Sequence, residues 1–489
     1  MASKSKIIAE LFEADGDIIA SALDNVVVSP TAVSDKPNTS TGGLTVPAGT
    51  TAQRPSSPDT GETRMNTTTG SLEFYDGSVW LSTNLIPTIN SITGNVYSTL
   101  ATNLVVSLAN ATSQVDIIFK EGSTLLATVS DVSISSGSAT VAVPSAVYGQ
   151  TAGDTITISV ENSDGVPSTN TVNKTVGAIP TGGTVSATGT YKVHTFTSSG
   201  NFVVPTGFAM SMEYLVVAGG GSGGGRHGGG GGAGGMLTGS TSVSAATHSI
   251  VIGAGGAGGR SIVNSGANTT ALSLTAIGGG YGGQYVSPGA TGANGGSGGG
   301  GGSTSGSVSG GTGTSGQGND GGDNVYNHGS EGDGRYTGGG GGKASAGGDG
   351  VSSAGGSGNG ANGVQSNIDG NNYYYAAGGG GGWWSTTNTS RKAGSGGTGG
   401  GGGGGWSIST QANAPSGKVG TGGGSGRNSG GTPATNFPAS ADGGDAGANT
   451  GSGGGGNGQA SWGSYDSSAV GSGSGGSGVV IIRYNTNAL

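Results

Sequence analysis

Between Val217 and Gly478 this chain is written largely in glycine: all but 19 of its 116 glycines lie beyond residue 217. Runs such as Gly228–Gly232, Gly378–Gly382 and Gly399–Gly405 offer no side chain to bury. A third glycine is the collagen share, but collagen needs Gly at every third position, and these unbroken runs follow no such period. Glycine also carries the largest backbone entropy cost of any residue. Such a stretch is therefore either a loose linker or is locked by dense backbone packing.

The flanks favour packing. Glu213–Val217 leads in and Val479–Tyr484 leads out, both β-branched and apolar enough to be buried strands. Between them, Ser249–Ile252 and Ala271–Ile277 run straight into glycine, so strands feed glycine runs repeatedly. The expectation is one folded domain whose glycine runs are polyproline II rods of about 3.1 Å per residue, packed side by side through backbone N–H···O=C and Cα–H···O contacts. An inner glycine such as Gly402 should then tolerate a side chain far less well than a loop residue such as Ser385.

Charged residues are only 9% and aromatics 5%, and the formal net charge is −9. Without clustered Lys and Arg the chain is not expected to bind nucleic acid. The absence of cysteine excludes a disulfide framework and thiolate metal sites. No run reaches the ~20 apolar residues of a membrane span, so membrane insertion is not expected, and Met1–Phe12 lacks a signal-peptide core.

Taken in order, the chain is expected to be mainly β in four parts. Residues 1–48 form an N-terminal anchor or oligomerisation segment and linker, in which Ile7, Ile8, Leu11, Phe12, Ile18, Ile19 and Leu23 recur at helical spacing. Such short turns need a partner, either further copies of the chain or a particle that carries it. Residues 49–85 read as a small β-meander with turns at Thr69-Gly70 and Asp76-Gly77, and residues 86–180 as a disulfide-free immunoglobulin-like sandwich of short alternating strands. Residues 190–489 are the glycine-rich domain with polyproline II rods bracketed by strands.

The string Arg64-Met65-Asn66-Thr67-Thr68-Thr69-Gly70, followed by Tyr75-Asp76-Gly77 and Trp80, resembles a module of tail fibres and other virion proteins of tailed phages, of cyanophage or marine-phage type. Tyr191–Gly207 and the closing Gly476–Tyr484 look like the ends of the glycine-rich domain common in phage tail fibres and in some bacterial surface proteins. The middle is similar to the tip adhesins of T-even-like phages, whose rods pack into a polyglycine II sandwich and whose loops recognise the host receptor. This chain differs from those adhesins in carrying its own meander and sandwich. The resemblance implies a virion fibre or appendage, homotrimeric, joined to other tail or appendage proteins. It would be assembled in the host cytoplasm and act outside the cell, where it contacts a host surface glycan or outer-membrane protein.

No residues are singled out for catalysis, and no cofactor is expected. His194 and His248 sit inside strand patterns as structural histidines, and His227 stands alone among glycines. The Gly-x-Gly-x-x-Gly matches are inevitable in this composition and carry no weight. Asp320, Asp323, Asp442 and Asp445 lie beside glycine turns as calcium ligands do, although the nine-residue calcium repeat is not sustained, and plain Asx turns are the other reading.

Large side chains gather between the rods: Tyr281 and Tyr285; Tyr326, His328, Arg335 and Tyr336; Tyr373, Tyr374 and Tyr375; Trp383 and Trp384 with Arg391 and Lys392; Trp406; Asn436 and Phe437; Trp462 and Tyr465. Bare glycine gives no grip, so a partner must be held by these intervals, unless the aromatics serve to cap the rods. Trp383-Trp384 directly abuts a glycine run and suits capping. A filament whose Val26–Val33 inserts as a strand into the next subunit is the alternative function, and a polysaccharide-degrading enzyme a more remote one, since no carboxylate pair stands out.

Overall fold

The computed structural model describes residues 46–68, 71–82, 86–162, 165–260, 263–285, 290–304, 306–326, 335–351, 355–386, 389–408, 413–436, 441–459 and 471–488. The expected anchor residues Ile7 to Leu23 and the strand at 26–33 lie outside them. The chain is mainly β and divides into two compact units, residues 1–84 and 85–489.

The first unit is a four-stranded sheet of β1 (Ala48–Gly49), β2 (Thr63–Asn66), β3 (Ser71–Tyr75) and β4 (Trp80–Ser82) in sequential order, with β1 parallel to β2 and the other pairs antiparallel. At the Asp76-Gly77 turn the Asp76 carboxylate accepts the N–H groups of Ser78 and Val79, both at 2.8 Å.

The second unit opens with β5 (Thr88–Thr93), β6 (Asn103–Ala109), β7 (Gln114–Glu121), β8 (Thr124–Ser135), β9 (Ser138–Ala142), the short helix α1 (Ser145–Tyr148), β10 (Thr155–Asn162) and β11 (Val172–Thr175). Alternation puts Leu104, Val106, Ile117, Phe119, Ile156 and Ile158 in one buried core. The strands pair in one continuous order, β11-β10-β7-β8-β9-β6-β5, and this sheet curls over on itself into the expected sandwich. Most of β8 pairs with β7, and its last two residues, Ile134 and Ser135, pair with β9. The Asn170 side chain closes the seam: its Oδ1 accepts from Ile89 N–H at 2.9 Å and its Nδ2 donates to Ile89 C=O at 2.8 Å.

The glycine-rich part contains β12 (Thr184–Thr188), β13 (Tyr191–Phe196), β14 (Gly200–Val204), β15 (Met210–Val217), β16 (Met236–Val243), β17 (Ala246–Ile250), β18 (Thr269–Ala271), β19 (Leu274–Ala276), β20 (Val325–Tyr326), β21 (Arg335–Tyr336), β22 (Val364–Ser366), β23 (Tyr373–Tyr375), β24 (Trp383–Ser385), β25 (Trp406–Ile408) and β26 (Val479–Asn485). The expected lead-in and lead-out strands meet: β26 lies between β13 and β15, antiparallel to both, in a sheet ordered β12-β13-β26-β15-β16. One face of this sheet buries Met212, Val216, Val480 and Ile482; the other buries Leu215, Val217, Val479 and Ile481.

The glycine runs are rods with a three-residue period. Gly219 and Ser222 donate to Ala267 and Asn264, Gly220 and Gly223 to Gly476 and Gly473, and Gly221 and Gly224 to Gly232 and Gly229. Returning to the same neighbour at every third residue is the threefold geometry of polyproline II. Residues 228–235 form a central rod. Their N–H groups reach residues 277–283, 338–341 and 451–457 at 2.7–3.0 Å, and their carbonyls accept from residues 218–224, 297–300 and 379–382. Six rods surround this one, so backbone pairing replaces side-chain burial as the source of order.

Candidate functional site

Each rod ends in residues that must turn the chain. Arg226 and His227 join rod 218–225 to rod 228–235 with φ of 44° and 46°, a left-handed turn uncommon for residues with a Cβ. That turn places the His227 ring under the aromatic residues that end other rods. It stacks on Trp384 (centroids 4.9 Å, 20° between planes) and meets Tyr285 edge-on at 5.2 Å. Two guanidiniums lie over the Tyr285 ring, Arg335 at 5.0 Å and Arg226 at 5.4 Å from its centroid.

Beneath this patch is a small apolar core of Tyr336, Trp383, Ala393, Trp406, Ile408 and Val419. Trp383 and Trp406 stack at 5.4 Å, and the Trp406 indole N–H donates to Arg391 C=O at 3.1 Å. Thr337 and Ser357 hydroxyls both donate to the last rod carbonyl, that of Gly382, at 2.7 Å. The short sheet β20-β21-β24-β25 fastens these rod ends together. His227 is wholly buried, and its pKa falls well below the usual histidine value, first through burial and then through the charges of Arg335 and Arg226. It is neutral, and neither ring nitrogen has a hydrogen-bond partner among the described residues.

The structure sorts the residues expected at contacts. Tyr285, Arg335, Trp384 and Arg391 are partly exposed at this end, with Lys392 exposed beside them. Tyr326 lies on β20 opposite Arg335. Tyr336, Tyr375 and Trp406 are buried and belong to the packing, as does Trp383; their rings close the lattice where rods stop. Tyr281 lies within a rod, not between rods, since its flanking Gly280 and Gly282 both bond to neighbouring rods. Tyr373, Tyr374 and Tyr375 are at the other end: rod 376–382 starts after Tyr375 and stops before Trp383, about 20 Å apart at ~3.1 Å per residue. Ser385, expected in a loop, is buried in β24. His328, Phe437, Trp462 and Tyr465 lie outside the described residues.

Arg226 and His227 were not among the expected contacts, although they are the sole charged or aromatic residues between Ala218 and Gly235. That break in an otherwise continuous run was the available signal for a rod end.

The four aspartates serve the lattice. Asp320 and Asp323 accept N–H groups of Gly313 (2.7 Å) and Gly310 (3.0 Å), and Asp442 and Asp445 those of Gly471 and Ser474, both at 2.7 Å. Asn359 and Asn362 do the same for Ser395 (2.8 Å) and Thr398 (2.9 Å). In each pair the spacing is three residues, so an outer rod supplies side-chain acceptors in step with the threefold backbone. Among the described residues no three of His, Asp and Glu converge as a metal site.

A concavity of about 560 Å³ lies elsewhere, on the five-stranded sheet between Tyr191, Glu213, Thr238, Ser366, Asn367 and Arg483. The Arg483 guanidinium pairs with Glu213 at 2.7 Å, lies 4.3 Å from the Tyr191 ring centroid and donates to the Asn367 and Ile368 carbonyls, so the charges on its floor are already matched.

No curated protein matches this chain. Residues 195–431, which run from β13 through most of the rods, match the family model described as a glycine-rich domain.

Proposed function

We propose that this chain is a non-catalytic attachment protein, a tail fibre or related appendage of a tailed phage, that presents the Trp384 end of its glycine-rich domain to a receptor on the host surface. One observation supports this above the others: the rods are ordered by their own backbone bonds, and the partly exposed Tyr285, Trp384, Arg226 and Arg335 are gathered over one end of them. Aromatic faces flanked by guanidiniums suit sugar rings and protein surfaces, so a surface glycan or an outer-membrane protein is the partner. Residues 1–84 would join the fibre to the virion, and three copies would assemble together.

The test has two parts. Mass spectrometry of purified particles should find the chain, and fluorescently labelled full-length protein should bind cells of the host. Trp384→Ala combined with Tyr285→Ala should lower that binding at least tenfold while the rods stay resistant to protease. Undiminished binding by the double variant, or particles lacking the chain, would sink the reading.

A further inference from the structure

The sheet of residues 48–82 has its polarity inverted. Its covered face holds Arg64, Asn66, Ser71 and Glu73, each 5% exposed or less. Residues 50–54 form the cover: Arg54 pairs with Glu73 at 2.6 Å, Arg64 donates to Gln53 C=O at 2.6 Å and to Thr50 C=O at 3.1 Å, and Asn66 donates to Thr51 Oγ1 at 2.9 Å. With this charged network held inside, the apolar residues of the same strands must point the other way. Met65 is paired with Leu72, and Phe74 with Leu81, so all four share one face. Met65, Phe74 and Leu81 are 37%, 38% and 40% exposed.

We infer that this face is the seat of the chain's own N-terminal apolar stripe, Ile7, Ile8, Leu11 and Phe12. Their spacing in the sequence is that of a single helical stripe about two turns long, matched in size to a face of four side chains. A second folded copy is a poorer occupant, because a stable interface needs about 800 Å² from each partner and four partly exposed side chains offer far less. The connection also favours the segment: the chain enters this sheet at β1, where Ala48 lies opposite Met65. The 35 residues between Phe12 and Ala48 give ample reach and keep the stripe at millimolar effective concentration, above that of any other copy in dilute solution. The stripe closes the apolar side of the sheet as residues 50–54 close its polar side.

The chain has no cysteine, so cross-links can be placed cleanly. Full-length protein carrying Phe12→Cys and Phe74→Cys should form an intramolecular disulfide in most molecules on mild oxidation, identified by mass spectrometry of the joined peptides. Phe12→Cys with Leu125→Cys, an exposed position on β8, should not. As a second readout that leaves the sheet intact, Leu11→Asp with Phe12→Asp should raise the fluorescence of an apolar dye several-fold and speed tryptic cleavage after Lys6 about tenfold. Cross-links forming only between chains would assign the face to a second copy and overturn the inference. So would linking no better than the Leu125 control together with unchanged dye binding.

Discussion

A Cβ on Gly402 would collide with the carbonyl oxygen of Gly444, because that glycine is held between neighbouring rods. Gly424, at an exposed stretch, has nothing within 4 Å of the same imagined atom. Gly402→Val is therefore expected to destabilise the domain by about 3 kcal/mol or more, as overpacking does. Gly424→Ala should be neutral or stabilise by up to about 1 kcal/mol through the unfolded chain. Denaturant midpoints of the two variants check this, and equal midpoints would remove the packed-rod account. A second residue-scale prediction concerns Asp442, whose pKa burial pushes up to about 6, helped by the nearby Asp445 and opposed by the Gly471 N–H bond. The folded state then holds a proton that the unfolded state has released. This contribution to stability is full below about pH 4 and is lost as pH rises towards 6. Asp442→Asn keeps the acceptor for Gly471 and should flatten that part of the profile, gaining on the order of 1 kcal/mol at pH 7. Thermal unfolding at pH 4 and 7 of parent and variant gives the comparison.

At the scale of elements, β26 joins the two orders of structure. Its residues pair with β13 on one side and β15 on the other, and Gly475 and Gly476 just before it bond to Gly256 and Ser452 in the rods. Ending the chain after Gly478 would leave Leu215, Val216 and Val217 uncovered along one strand edge. The expected result is loss of protease resistance over residues 190–478, while the sandwich of residues 88–175 survives. A truncated protein as resistant as the parent would mean that the rods hold without their sheet. The existence of these elements was legible, since β-branched runs and glycine runs announce themselves. The partner of each rod was not. Glycine has no side chain with which to encode register, so the neighbours of residues 228–235 are chosen by chain connections, by rod ends and by the Asn, Asp and Ser acceptors of the outer rods. The inversion of the first sheet was hidden for a different reason: strand alternation shows that two faces differ but not which of them the chain will cover, and residues 50–54 cover the charged one.

At the scale of the whole molecule, the sandwich and the glycine-rich part of the second unit share a core. Tyr97 and Leu100 belong to the cluster that contains Phe208, Met212 and Tyr484, and the Tyr97 and Phe208 rings meet edge-on at 5.7 Å. Gly177 lies against the Tyr97 ring so closely that a Cβ there would strike it, which keeps the tail of the sandwich beside the junction. Tyr97→Ala should cost about 3 kcal/mol at this junction. For residues 85–489 calorimetry is expected to give one transition in the parent and two in the variant, and a single unshifted transition in the variant would show that this contact does not couple the two parts. By itself the sequence determined that the chain would be β, that its glycine runs would form threefold rods, and that large side chains would gather where rods stop, with Tyr281, inside a rod, the exception; each follows from local stereochemistry. Which of those side chains meet was decided by tertiary structure alone. Rod length and direction bring Arg226, His227, Tyr285, Arg335 and Trp384 to one end and send Tyr373 to Tyr375 to the other, and burial then turns Tyr336, Tyr375 and Trp406 into packing. Six-neighbour packing of rods without side chains is a long-range arrangement, and no stretch of sequence contains the instruction for it.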